Sequence, residues 1–199
     1  MQDGVRTATA ADLDGVVTVL TAAFHDDPLM SWAFPDPATR PRRLDALWTF
    51  MGREGYLPFG ASTLVPHAAG ADAAALWLAP GQHLDAAFWA ARGSAFAAAL
   101  EHDLDRLSAL SEQMHAHHPA EPHWYLLAIG VSPDRQGSRL GSALLAHTLA
   151  IADDTGAPAF LEATSPRSRA LYERHGFVAT GQFAALDGPP VWPMWREPA

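Results

Sequence analysis

The chain has 199 residues, 49% of them hydrophobic and 18% charged, a composition that supports a buried core and excludes a disordered chain. It lacks cysteine, which removes disulfide scaffolds, thiolate nucleophiles and zinc–sulfur centres, and no apolar run reaches the ~18 residues of a membrane span. Thirteen basic residues against 22 acidic ones leave a formal charge of −9, and all thirteen are arginine, so nucleic acid and anionic lipid are disfavoured partners and lysine-based chemistry is excluded.

Val5 to Ala8 reads as a first or edge strand, and Thr9 with Asp12 three residues on reads as a capped helix start. Leu13, Val16, Val17, Leu20, Ala23 and Phe24 then repeat at helical spacing, predicting a helix over 10–24. Prolines 28, 35 and 37 predict a loop after it. A second helix is expected over 41–56, followed by a hairpin of 62–65 and 73–78 around a turn-rich HAAGAD stretch. The alanine-rich stretch 82–118 is helical by propensity. WYLLAIGV, 124–131, is a continuous apolar run expected to be a buried strand. A loop, SPDRQGSR, enters a helix that Gly156 stops, and PAFLEAT is a short strand. A helix closed by Gly176, a strand over 177–183 and a last strand over 191–195 complete a single α+β (mixed α/β) domain spanning 1–199.

The loop from Arg135 to Ser142 is the most informative stretch. A buried strand delivers the chain to Gly137, and Gly141 lies in the first turn of the next helix. Amides at a helix N-terminus are unpaired and carry the positive end of the dipole, which suits a phosphate. Glycine permits close approach, and Arg135 and Arg139 add positive charge to an acidic protein. The spacing matches neither a Walker loop nor a dinucleotide G-x-G-x-x-G.

DRQGSRLGSALL resembles the pyrophosphate motif Q/R-x-x-G-x-G/A of the GNAT acyltransferase superfamily, read at Gln136, Arg139 and Gly141. LEATSPRSRALYERHGF resembles that superfamily's later motif, in which a tyrosine precedes Gly-Phe. The likeness is closest to the puromycin N-acetyltransferase group, strong over about 120–197, loose in the first helix and faint across 28–120. It implies a central, mostly antiparallel sheet splayed at the acyl-CoA strand and flanked by helices. It also implies acetyl-CoA as co-substrate, no metal, and direct acyl transfer to an amine. Ile129, Gly130 and Val131 would meet the acetyl and pantetheine, with Gly130 a natural bulge residue. Arg135, Gln136, Gly137, Ser138, Arg139, Leu140, Gly141 and Ser142 would hold the pyrophosphate. Arg139 replaces the motif's first glycine; a residue in the first helical turn has ordinary helical dihedrals, so arginine is expected to serve there.

Tyr172 matches the tyrosine that can protonate the departing thiolate, the alternative being a packing role. Glu162, on the PAFLEAT strand, is a candidate general base or a buried carboxyl satisfied internally, and His123 is the alternative base. Asp26, Asp27 and Trp32 either face a cationic amine or serve as helix cap and core. His115, His117 and His118 lack metal-ligand spacing and read as a solvated helix end. The resemblance implies a small-molecule amine acceptor, an amine-bearing antibiotic among them. Peptide or protein amines, or a non-catalytic acyl-CoA-binding module, are the alternatives. A cytoplasmic monomer or homodimer is expected.

Overall fold

A computed structural model describes residues 4–68, 70–101 and 104–199. Strand β1 (Arg6–Thr7) leads through a short 3-10 turn into α1 (Leu13–Phe24), whose Val16, Val17, Val19 and Leu20 are buried. The start is fixed as expected: Asp12 accepts from the Thr9 amide at 2.9 Å, and the Arg6 guanidinium beside it holds its carboxyl well below the usual range. The predicted loop contains a short helix, α2 (Pro28–Ala33). Pro28 does not break it because it occupies the first turn, where its missing N–H costs nothing, and Asp27 caps it. Helix α3 (Arg40–Phe50) runs on as a π-helical turn, Met51–Tyr56, so the expected 41–56 helix changes its winding midway.

The hairpin is β2 (Thr63–His67) and β3 (Gly70–Leu78). The alanine-rich stretch forms two helices, α4 (Ala86–Ala99) and α5 (Asp105–His117), with residues 102 and 103 between them outside the described residues. Then follow β4 (Trp124–Val131), α6 (Leu140–Asp154), β5 (Ala159–Ala163) and α7 (Pro166–Glu173). Gly156 ends α6 at φ 64°, the left-handed conformation that a C′ glycine adopts without strain. The expected 177–183 strand shrinks to β6 (Val178–Ala179) and an isolated bridge from Phe183 to Val191, while β7 covers Trp192–Arg196.

The strands form one seven-stranded sheet in the order β1-β2-β3-β4-β5-β7-β6. Every adjacent pair is antiparallel except β4 and β5. Strand alternation divides the core between the two faces of the sheet. Ala74, Leu76 and Leu78 of β3 pack with α1, α3 and α5, while Ala73, Ala75 and Trp77 pack with Leu144, Leu145 and Leu149 of α6. Each of those leucines is essentially fully buried and contributes on the order of 1.5–3 kcal/mol of transfer free energy.

The parallel junction is where the sheet opens. Pairing between β4 and β5 covers only Trp124–Ala159, Tyr125–Phe160 and Leu126–Leu161. Beyond Leu126, β4 stays with β3 and β5 goes with β7, and the two strands part as a fork. A bulge marks the point of departure. Leu76 faces Ala128 and Trp77 faces Leu126, so Leu127 is the extra residue. The sequence reading placed the bulge at Gly130; the structure assigns that glycine another purpose. A Cβ on Gly130 would lie 2.9 Å from both Ala23 Cβ and Leu20 Cδ2, so glycine is there to let α1 close onto the forked strand.

Candidate active site

At the mouth of the fork, β4 ends in a 3-10 turn, Pro133–Arg135, and the chain enters α6 through Gly137 at φ 81° and Arg139 at φ 66°. The first helical bond of α6 is from the Ala143 amide to the Arg139 carbonyl, 3.0 Å, and no side chain caps the helix. Among the described residues, nothing accepts from the amides of Gly137, Arg139, Leu140, Gly141 or Ser142. Five donors therefore cluster at the positive end of a 15-residue helix. The fold does not itself demand glycine at 141: a Cβ there meets Val131 Cγ2 at 3.6 Å and Leu171 Cδ2 at 3.7 Å, ordinary contacts.

The expectation of ordinary helical dihedrals at Arg139 is corrected here. It is the N-cap and is left-handed, the conformation for which glycine is the unstrained choice, and an arginine there costs about 1–2 kcal/mol. The polar side chains around it are arranged by neighbours. Arg135 Nε lies 3.3 Å from Asp72 Oδ2, and the Gln136 side-chain Oε1 accepts from Arg167 Nη2 at 3.1 Å, tying the loop to the first turn of α7. The Ser138 hydroxyl donates to the Arg135 carbonyl.

Glu162 is the first residue of β5 past its last pair with β4, so its side chain stands at the crotch of the fork. It is buried, and its Oε1 has no partner among the described residues. Burial pushes its carboxyl up to about 8, with the Tyr125 hydroxyl offsetting part of the cost. The chain has three tyrosines, and all three stand within electrostatic reach of this carboxyl. Burial raises Tyr56 and Tyr125 well above the ordinary phenol value, and the charge of Glu162 adds to it. Tyr172, on the last turn of α7, is raised by burial and then by Asp27 and Glu162. Three uncharged hydroxyls thus share the field of one buried carboxyl, and the one of Tyr125 bonds to it. The sequence reading singled out Glu162 and Tyr172 and missed Tyr56 and Tyr125. The scarcity of tyrosine was the one available signal.

His123 lies elsewhere, at the paired end of β4. Its Nδ1 is 2.6 Å from the Glu121 carbonyl, and its ring packs against His118, Phe160 and Trp195 at 4.9, 5.5 and 5.6 Å. Burial lowers both imidazoles, His118 to about 4, so both are neutral at pH 7. Among the described residues no group of three His, Asp or Glu side chains is arranged to hold a metal ion. Asp26 is exposed and pairs with His25 Nδ1 at 2.8 Å, on a groove of about 480 Å³ that also takes in Thr21, Pro41, Asp45 and Pro133. The Trp32 indole donates to Asp187 Oδ1 at 2.9 Å while the Arg106 guanidinium lies 5.6 Å over its ring, so this side chain joins α2 to α5 and to the β6–β7 loop. No helix among the described residues is long and apolar enough to cross a membrane.

A mostly antiparallel seven-stranded sheet, forked at its one parallel pair and flanked by helices on both faces, is the fold of the GNAT acetyltransferases. The chain belongs to the Acetyltransferase (GNAT) family, whose profile matches residues 72–177, and it is an N-acetyltransferase. A Corynebacterium glutamicum structure described as histone acetyltransferase HPA2 and related acetyltransferase is 33% identical, covers 100% of this chain and 98% of its own, and has a TM-score of 0.73. The Drosophila melanogaster polyamine N-acetyltransferase, 18% identical, shares the fold with a TM-score of 0.68 over 97% of this chain and 98% of its own. An uncharacterized N-acetyltransferase of Schizosaccharomyces pombe is 38% identical over 55 residues, which are 28% of this chain and only 22% of that curated relative. Enzymes of this family use acetyl-CoA as co-substrate.

Proposed function

We propose that this enzyme transfers the acetyl group of acetyl-CoA directly to a small-molecule amine, with the diphosphate on the amides of Gly137 and Arg139–Ser142. The single observation that carries the reading is the set of unbonded amides at the mouth of the fork. The thioester would lie between the parted strands, alongside Ile129, Gly130 and Val131, whose β5-facing backbone has no strand partner. Glu162 takes the proton from the amine; the C–N bond forms as the C–S bond breaks; Tyr172 gives its proton to the departing sulfur. A carboxyl with a value of about 8 is well matched to an amine near neutral pH, better than an exposed glutamate would be. A module that only held acyl-CoA would need neither Glu162 nor Tyr172, which favours catalysis.

Asp26 and Asp45 on the groove beside Pro133 support a cationic acceptor. The sequence likeness over 120–197 adds antibiotics of the puromycin type to the acceptors worth assaying. The designation of the Corynebacterium relative as a histone acetyltransferase favours a protein amine as the second reading. The test is thiol release from acetyl-CoA across monoamines, diamines, puromycin and a histone-tail peptide. Turnover of a small amine supports the proposal, turnover of the peptide alone supports the second reading, and acetyl-CoA binding without release from any amine refutes both.

A further inference from the structure

Asp27 lies one residue from the groove, yet both of its oxygens are already used. Oδ1 accepts from the amides of Leu29 and Met30 at 2.9 and 3.1 Å, and Oδ2 accepts from the Thr164 hydroxyl at 2.7 Å. Those contacts make it a poor ligand for an incoming ammonium and a good tie between distant segments. Thr164 directly follows β5 and directly precedes Ser165, whose hydroxyl caps α7 by accepting from the Ser168 amide at 3.1 Å. The position of Thr164 therefore sets where α7 begins, and α7 carries Tyr172 on its last turn.

We propose that the Asp27–Thr164 hydrogen bond is a latch that sets Tyr172 against the reacting sulfur, which makes Asp27 and Thr164 positioning residues for acetyl transfer. This rests on the reading of Tyr172 given above. Two features support it. The bond joins residues 137 positions apart, so it fixes the acceptor-side segment and the Tyr172 helix relative to one another. The segment is also pinned at its other end. Buried Arg40 donates to the carbonyls of Phe34, His25 and Pro35 at 2.7, 3.0 and 3.2 Å, spending its charge on the C-terminal ends of α1 and α2. With that end held, the segment transmits the position of Asp27 to Thr164 without slack.

The experiment is a double-mutant cycle on kcat, with acetyl-CoA affinity measured by calorimetry. Thr164→Val should lower kcat roughly tenfold, the scale of a modest misplacement of a reacting group. The dissociation constant of acetyl-CoA should stay within about twofold, and Thr164→Ser should restore most of the rate. Asp27→Ser keeps a capping oxygen for α2, is too short to reach Thr164 and should reproduce Thr164→Val, so the proposal is testable even if the valine variant folds poorly. In a Tyr172→Phe background, Thr164→Val should have almost no further effect. A Thr164→Val enzyme at full rate, an undiminished loss in the Tyr172→Phe background, or a serine variant as slow as the valine one overturns the latch while leaving Tyr172 in place. A Tyr172→Phe enzyme at full rate instead removes Tyr172 from the chemistry, and the latch with it.

Discussion

Glu162→Gln gives the sharpest test of how the fork treats a carboxyl. Unfolded, Glu162 ionises near its ordinary 4.5; in the fold it holds its proton up to about 8. The folded value is the higher one, so the stability gained from the protonated form is complete below pH 4.5 and is lost as pH rises through about 8. Between those limits the unfolded chain has released a proton that the native protein keeps. Stability therefore falls by up to about 1.4 kcal/mol per pH unit, of order 5 kcal/mol across the interval. Glutamine has no proton to lose. Urea unfolding of both proteins at pH 5 and pH 8 should show the wild type losing several kcal/mol relative to the variant. His118, held neutral down to about 4, acts in the opposite direction but equally in both proteins, so it cancels in the difference. In parallel, kcat/KM of the wild type should rise through about pH 8 and that of Glu162→Gln should be low and flat. Superimposable stability-against-pH curves for the two proteins would refute the reasoning.

Gly130→Ala should cost about 1–3 kcal/mol, read by urea unfolding, because its methyl group would meet Leu20 and Ala23 at 2.9 Å. Arg139→Gly should stabilise the free protein by about 1 kcal/mol, seen as a raised Tm, because it relieves a left-handed arginine at φ 66°. Tyr172→Phe should lower kcat by roughly a hundredfold or more in steady-state assays while acetyl-CoA affinity is retained.

Features written in contiguous residues were legible in the sequence. The apolar run 124–131, the glycines that follow it and the Leu140–Leu149 repeat led to β4, its loop and α6, because strand, turn and helix start are each local choices. Tyr172 was singled out by motif position and Glu162 by its place on the short strand beside the acyl strand. What escaped was either non-local or unmarked. Nothing in the sequence relates Asp27 to Thr164, or Tyr56 and Tyr125 to Glu162; the sheet brings them together. The bulge at Leu127 left no trace because every residue around it is apolar, so a slipped alternation looks the same as a regular one. Pro28 read as a breaker although the preceding Asp27 makes it the first residue of a helix. Arg139 gives no hint of its positive φ; only the glycine expected in its place did.

The central claim is most directly tested by following backbone amide resonances while acetyl-CoA is titrated into the ¹⁵N-labelled protein. The account predicts large, saturable shifts at Gly137, Arg139, Leu140, Gly141 and Ser142, with smaller ones along Leu127–Val131 on the open edge of β4. Saturation with those five amides unmoved and the shifts gathered elsewhere would contradict it.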